Sequence, residues 1–125
     1  MDPEFLEFED VLALHERSLL EHGGSAGRRD EGLVRSAVAQ PQHDFHYGGA
    51  DLFGIAAAYA FHIAQAQAFI DGNKRTGLAA AATFLEMNGV DTTADQSALV
   101  DAMIAIAERR LDKAGLEVLF RELFA

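Results

Sequence analysis

The chain has 125 residues, half of them hydrophobic, with 20 acidic against 10 basic side chains, a net charge of −10 and no cysteine. That length suits one domain with a sizeable core. The acidity excludes a general nucleic-acid binder, which needs a basic face, and suits solubility and a basic partner segment. The missing cysteines exclude disulfides and thiolate metal sites. No run approaches the ~18 apolar residues of a membrane span and no signal peptide is visible, so the expectation is a cytoplasmic protein without membrane association.

Met1-Asp2-Pro3-Glu4-Phe5 spells what adjoining cloning sites encode, so residues 1–5 are read as a remnant and 6–125 as a single domain. From about Glu7 to Glu21, the residues Phe8, Val11, Leu12, Leu14 and Leu19 form an apolar stripe of helical period that Gly23-Gly24 ends. His15 on this helix reads as a surface or half-packed side chain. Asp30 is a good N-cap for a short helix through Ala39, with Leu33, Val34, Ala37 and Val38 on its apolar face. Pro41 to Ala50 is the least helical stretch and reads as irregular. Its His43, Asp44 and His46 suggest a metal set only weakly, because no supporting shell accompanies them.

Asp51 caps a long helix to about Gln67. Leu52, Ile55, Ala56, Tyr59, Ala60, Ile63 and Ala64 make its apolar face nearly continuous, which predicts the central buried helix. Residues 67 to 76, Gln67-Ala68-Phe69-Ile70-Asp71-Gly72-Asn73-Lys74-Arg75-Thr76, then bring small, acidic, amide and basic side chains together. Asp71-Gly72 is a turn dipeptide, and a helical pattern resumes from Lys74 to the stop at Asn88-Gly89. Two more helices follow, one capped by Asp95 and running to about Arg110, the other opened by Asp112. Six helices and one irregular loop result.

The turn at 71–76 has a specific chemistry. A helix N-terminus exposes free N–H groups and the positive end of the dipole, and it normally attracts acids. Lys74 and Arg75 oppose that dipole, which costs stability unless an anion lies between them, so the predicted ligand is a phosphate. Asp71 beside them supplies the single carboxylate that such sites use to hold Mg²⁺. His62 lies five residues before Gln67, so the two side chains diverge by about 140° and His62 is a poor substitute for a base at Gln67.

Phe69-Ile70-Asp71-Gly72-Asn73-Lys74-Arg75-Thr76 resembles the central motif of the Fic/Doc (Fido) superfamily, and most closely its death-on-curing branch. The likeness extends to Gly27-Arg28-Arg29-Asp30-Glu31-Gly32-Leu33 and to Thr83-Phe84-Leu85-Glu86-Met87-Asn88-Gly89, roughly residues 6 to 120. It implies an all-α single-domain bundle of about six helices, with one short irregular or β-like flap, placed at Pro41–Ala50, that docks the target backbone. It also implies a toxin-like transferase moving a phosphoryl group from ATP, with Mg²⁺, to a Ser/Thr hydroxyl of a target protein. Relatives act on elongation factor Tu. Under this resemblance Asp71 holds the metal, Gly72, Asn73, Lys74, Arg75 and Thr76 bind phosphate, Lys74 and Arg75 share in catalysis, and Phe69 plugs the core beneath the turn.

The family's general base, a His, is replaced by Gln67. An amide takes up no proton near neutral pH, and losing a positioned base costs about 10² to 10⁴ in rate. The resemblance therefore implies an inactive or attenuated enzyme as written; the alternatives are an AMP-transferring Fic enzyme or a non-catalytic nucleotide-binding module. Lys74, where AMP-transferring relatives commonly carry Gly, favours phosphoryl transfer. A small antitoxin and a second copy of the chain are the remaining partners the resemblance admits. No inhibitory Ser/Thr-x-x-x-Glu-Gly-Asn motif occurs in the chain itself.

Overall fold

A computed structural model describes residues 2–125, which form six helices: α1 (Phe8–His22), α2 (Glu31–Gly48), α3 (Leu52–Ala66), α4 (Asn73–Met87), α5 (Gln96–Ala107) and α6 (Lys113–Phe124). The fold is all-α, as the periodicity predicts. Four helices start at an aspartate whose carboxylate accepts from the first-turn N–H groups. These are Asp30 from Gly32 at 2.8 Å, Asp51 from Gly54 at 2.9 Å, Asp95 from Ser97 at 2.8 Å and Asp112 from Gly115 at 2.8 Å. No helix among the described residues is long and apolar enough to cross a membrane.

α3 is the axis of the molecule. Ile55, Ala56, Ala57, Ala58, Tyr59 and Ala60 are completely buried, so this helix is covered on all sides by α4, α2, α6 and α5. α4 approaches it most closely. At Gly77 an added Cβ would stand 2.7 Å from the Ala60 carbonyl oxygen, so glycine is what lets the two backbones meet. α1 reaches the core mainly through α4. Tyr59 ties the N-terminal segment down: its hydroxyl accepts from Leu6 N–H at 2.9 Å and donates to Leu6 C=O at 3.2 Å. Burial raises its pKa above the ordinary phenol range. Glu4 exchanges hydrogen bonds with Asn88, and Phe5 packs among Phe45 and Phe84.

The structure corrects the position of the flap. Residues 41–48 are helical, because α2 continues from Ala39 through Pro41 to Gly48 and stops at Gly49, whose φ is 67°. Proline inside a helix removes one hydrogen bond and crowds the preceding turn, at a cost of about 3 kcal/mol. Here the ring is fully buried in the core, Phe45 packs against Phe5 one turn on, and Gln40 donates to Asp44 at 3.0 Å. Tertiary packing outweighs the local preference. Asp44 is held by Gln40 and Lys113, and no group of three or more His, Asp or Glu among the described residues is placed to hold a metal ion, so His43, Asp44 and His46 do not form a metal set. The β-like element lies instead at Arg28 and Phe69, an isolated antiparallel bridge in which Arg29 N–H meets Ala68 C=O at 2.7 Å and Ile70 N–H meets Gly27 C=O at 3.2 Å.

Candidate active site

The junction of α3 and α4 is built from short-range clamps. α3 ends at Ala66, and Gln67 takes the left-handed conformation at φ 52° with its side chain exposed. Ala68 and Phe69 turn inward and are buried. Asn73 then reaches back: its Oδ1 accepts from Phe69 N–H and its Nδ2 donates to Phe69 C=O, both at 3.0 Å. The amide of Asn73 is thus spent on holding the turn, and what it offers a ligand is its backbone N–H. Gly72, at φ 83°, supplies the left-handed residue that starts α4.

Unlike α2, α3, α5 and α6, α4 has no side chain capping its N-terminus. Its first intrahelical bond is Thr76 N–H to Gly72 C=O at 2.9 Å, which leaves the N–H groups of Asn73, Lys74 and Arg75 unpaired among the described residues. Lys74 and Arg75 are exposed in that turn, and neither forms an ion pair among the described residues. Asp71 stands beside them, its Oδ2 accepting from Ser25 N–H at 2.8 Å. Thr76 is completely buried and its Oγ1 has no partner. The arrangement offers an anion three aligned N–H groups, a dipole end and two cations, with a carboxylate at its edge.

All eight residues singled out by sequence fall within this one turn and the first turn of α4. Sequence reasoning missed two others. His15 is buried, not half-packed at the surface: its Nε2 lies 2.7 Å from the Asp71 carbonyl oxygen, and its ring stacks on Phe69 at 3.8 Å and 11°. Ser18, one turn on, is also buried, with its Oγ unpartnered near Gly72. The signal was present, since Val11, His15 and Ser18 follow the i, i+4, i+7 spacing of the buried face. Beyond Ser18 a groove of about 520 Å³ runs between α1, α4, α5 and α6, with Leu14, Arg75, Leu78, Ala82, Val100 and Phe124 along it.

Residues 5–85 match the Fic/DOC family, and they include the whole turn just described. The chain belongs to the Fic/DOC family. Within it the chain lies on the Doc branch. It is 44% identical over 96 residues to a protein named Toxin Doc from Mycolicibacterium smegmatis (strain ATCC 700084 / mc(2)155), covering 74% of this chain and 70% of that one. It is 31% identical over 117 residues to Protein kinase doc of Escherichia phage P1, covering 93% and 92% of the two chains. The family match covers this uncapped start of α4.

Proposed function

We propose that this chain is a Doc-type toxin transferase whose site takes ATP with Mg²⁺ and passes a phosphoryl group to a Ser/Thr hydroxyl of a protein. The observation that carries the reading is the uncapped N-terminus of α4 with Lys74 and Arg75 in its first turn and Asp71 beside it. The relative named Protein kinase doc supports phosphoryl transfer, and Lys74 supports it over AMP transfer. Phosphoryl transfer asks for little covalent chemistry from the protein; positioning and charge stabilisation do most of it.

Each residue then has a role. The N–H groups of Asn73, Lys74 and Arg75 hold phosphate oxygens, and the Lys74 and Arg75 side chains offset their charge. Asp71 fits Mg²⁺, because only one of its two oxygens is engaged by Ser25. Mg²⁺ supplies charge neutralisation of the phosphates. Buried Thr76 supports the first turn, and Phe69 anchors the loop. The strand-like segment at 27–29 pairs on one side only: Arg28 N–H and C=O have no backbone partner among the described residues, which leaves an edge beside the loop for the target's main chain. The groove between α1, α4, α5 and α6 suits an apolar helix of an antitoxin, with Arg75 at its rim to receive an acidic side chain.

Gln67 stands where the family has its base, so the protein as written is inactive or strongly attenuated. The competing reading, a nucleotide-binding module without transfer, is favoured by this same residue. The experiment is label transfer in a cell extract with Mg²⁺, comparing the chain as written with Gln67→His. A γ-phosphate label appearing only with Gln67→His, at about 10² to 10⁴ times the starting rate, is expected. An α-phosphate label would mean AMP transfer. ATP binding with no label in either form would establish the non-catalytic module.

A further inference from the structure

We infer that His15 is a positioning residue: from α1 it fixes the main chain of Asp71, and so the direction of the Asp71 carboxylate and the start of α4. A carbonyl oxygen can only accept, so at 2.7 Å from the Asp71 oxygen the His15 Nε2 carries the proton and donates. The face of the same ring lies on Phe69, two residues earlier, at 3.8 Å. One buried side chain therefore holds the loop at two points, one polar and one apolar.

The grip is completed from the same helix. α1 ends at Gly23, whose N–H closes on Leu19 C=O at 2.7 Å, and two residues later Ser25 N–H donates to Asp71 Oδ2 at 2.8 Å. Gly24 makes room for this, since a Cβ there would come within 3.2 Å of the Asp71 Cβ. α1 thus takes hold of Asp71 by its main chain through His15 and by its carboxylate through the turn that follows. Groups that orient a ligating carboxylate commonly matter about 10- to 100-fold for metal affinity or activity. Sequence puts His15 56 residues away from Asp71, and only the packing of α1 on α4 joins them.

The inference rests on the transferase reading for its consequence but not for its geometry, and the test separates the two. His15→Phe keeps the stack and removes the N–H; His15→Gln keeps a donor at similar reach and removes the ring. Backbone amide exchange is measured without nucleotide, and ATP affinity is measured with and without Mg²⁺. The expected result for His15→Phe is an intact cooperative melt, exchange at Ser25 and Ile70 faster by at least about tenfold, and a Mg²⁺-dependent gain in ATP affinity reduced by about tenfold. His15→Gln restores both quantities to within about threefold of the parent. Unchanged Ser25 and Ile70 exchange in His15→Phe overturns the proposal, as does equal loss in both variants together with faster exchange along all of α1. If the parent itself binds no ATP while the exchange result holds, the positioning role stands and the transferase reading falls.

Discussion

Gln67 carries backbone strain. At φ 52° it occupies a region that costs non-glycine residues of order 1 kcal/mol or more, and that Asn, Asp and His tolerate better than most. In this conformation the Gln67 side chain is exposed, one residue beyond the end of α3. Gln67→Gly is expected to stabilise the fold by about 0.5–1 kcal/mol, seen as a higher urea midpoint at unchanged slope, and to give no phosphoryl transfer. Destabilisation instead would mean that the Gln67 side chain makes contacts worth more than the strain. Most of the candidate site was legible at this scale, because turn chemistry, the paired cations and Asp71 are contiguous in the chain. His15 and the double hydrogen bond of Asn73 were not, since each depends on what the folded loop places opposite it.

At the level of elements, helix starts were readable because an aspartate cap acts within three residues, and all four predicted caps form. The end of α2 was not, because Pro41 is a local breaker that buried packing overrules. The α3–α4 crossing gives the sharpest test of packing against propensity. Gly77→Ala gains about 1 kcal/mol of helix propensity. It also places a methyl 2.7 Å from a backbone oxygen that cannot move without shifting all of α3, and overpacking of this kind costs about 1–3 kcal/mol. The net effect should be a destabilisation of up to about 2 kcal/mol, lowering the melting midpoint by up to several degrees. A midpoint equal to or above the parent's would show that α4 slides on α3 freely. In that case the turn between the two helices would have no fixed geometry to lend to a phosphate.

Across the whole molecule, one polar cluster joins three helices. Lys113 at the start of α6 contacts Asp44 of α2 at 2.7 Å and His62 of α3 at 3.1 Å. Lys113 can only donate, so His62 must be the neutral acceptor. Burial, then the Lys113 charge, push its pKa from 6.5 down to about 4, against a smaller opposing pull from Asp44. In the unfolded chain the imidazole protonates near 6.5, whereas in the folded one it stays neutral to about 4. The stabilisation is therefore fully present above pH 6.5 and is lost as pH falls toward 4, because the unfolded state takes up the proton first. Discounted for the partial exposure of the ring, the loss is about 1–2 kcal/mol, or about 4–8 °C in melting midpoint for a domain of this size. Asp44 and Asp51 do not confuse the window. Burial opposes their charge, but Lys113 and Gln40 hold Asp44 below its ordinary 3.8, and the Gly54 N–H and Arg121 do the same for Asp51, so both titrate below it. His62→Gln keeps an acceptor for Lys113 and removes the titration. Melting curves of parent and variant should run parallel above pH 6.5 and separate steadily below it, with the parent losing more. Curves that stay parallel down to pH 4.5 would mean that His62 protonates in place and that α2, α3 and α6 are not locked by a neutral imidazole.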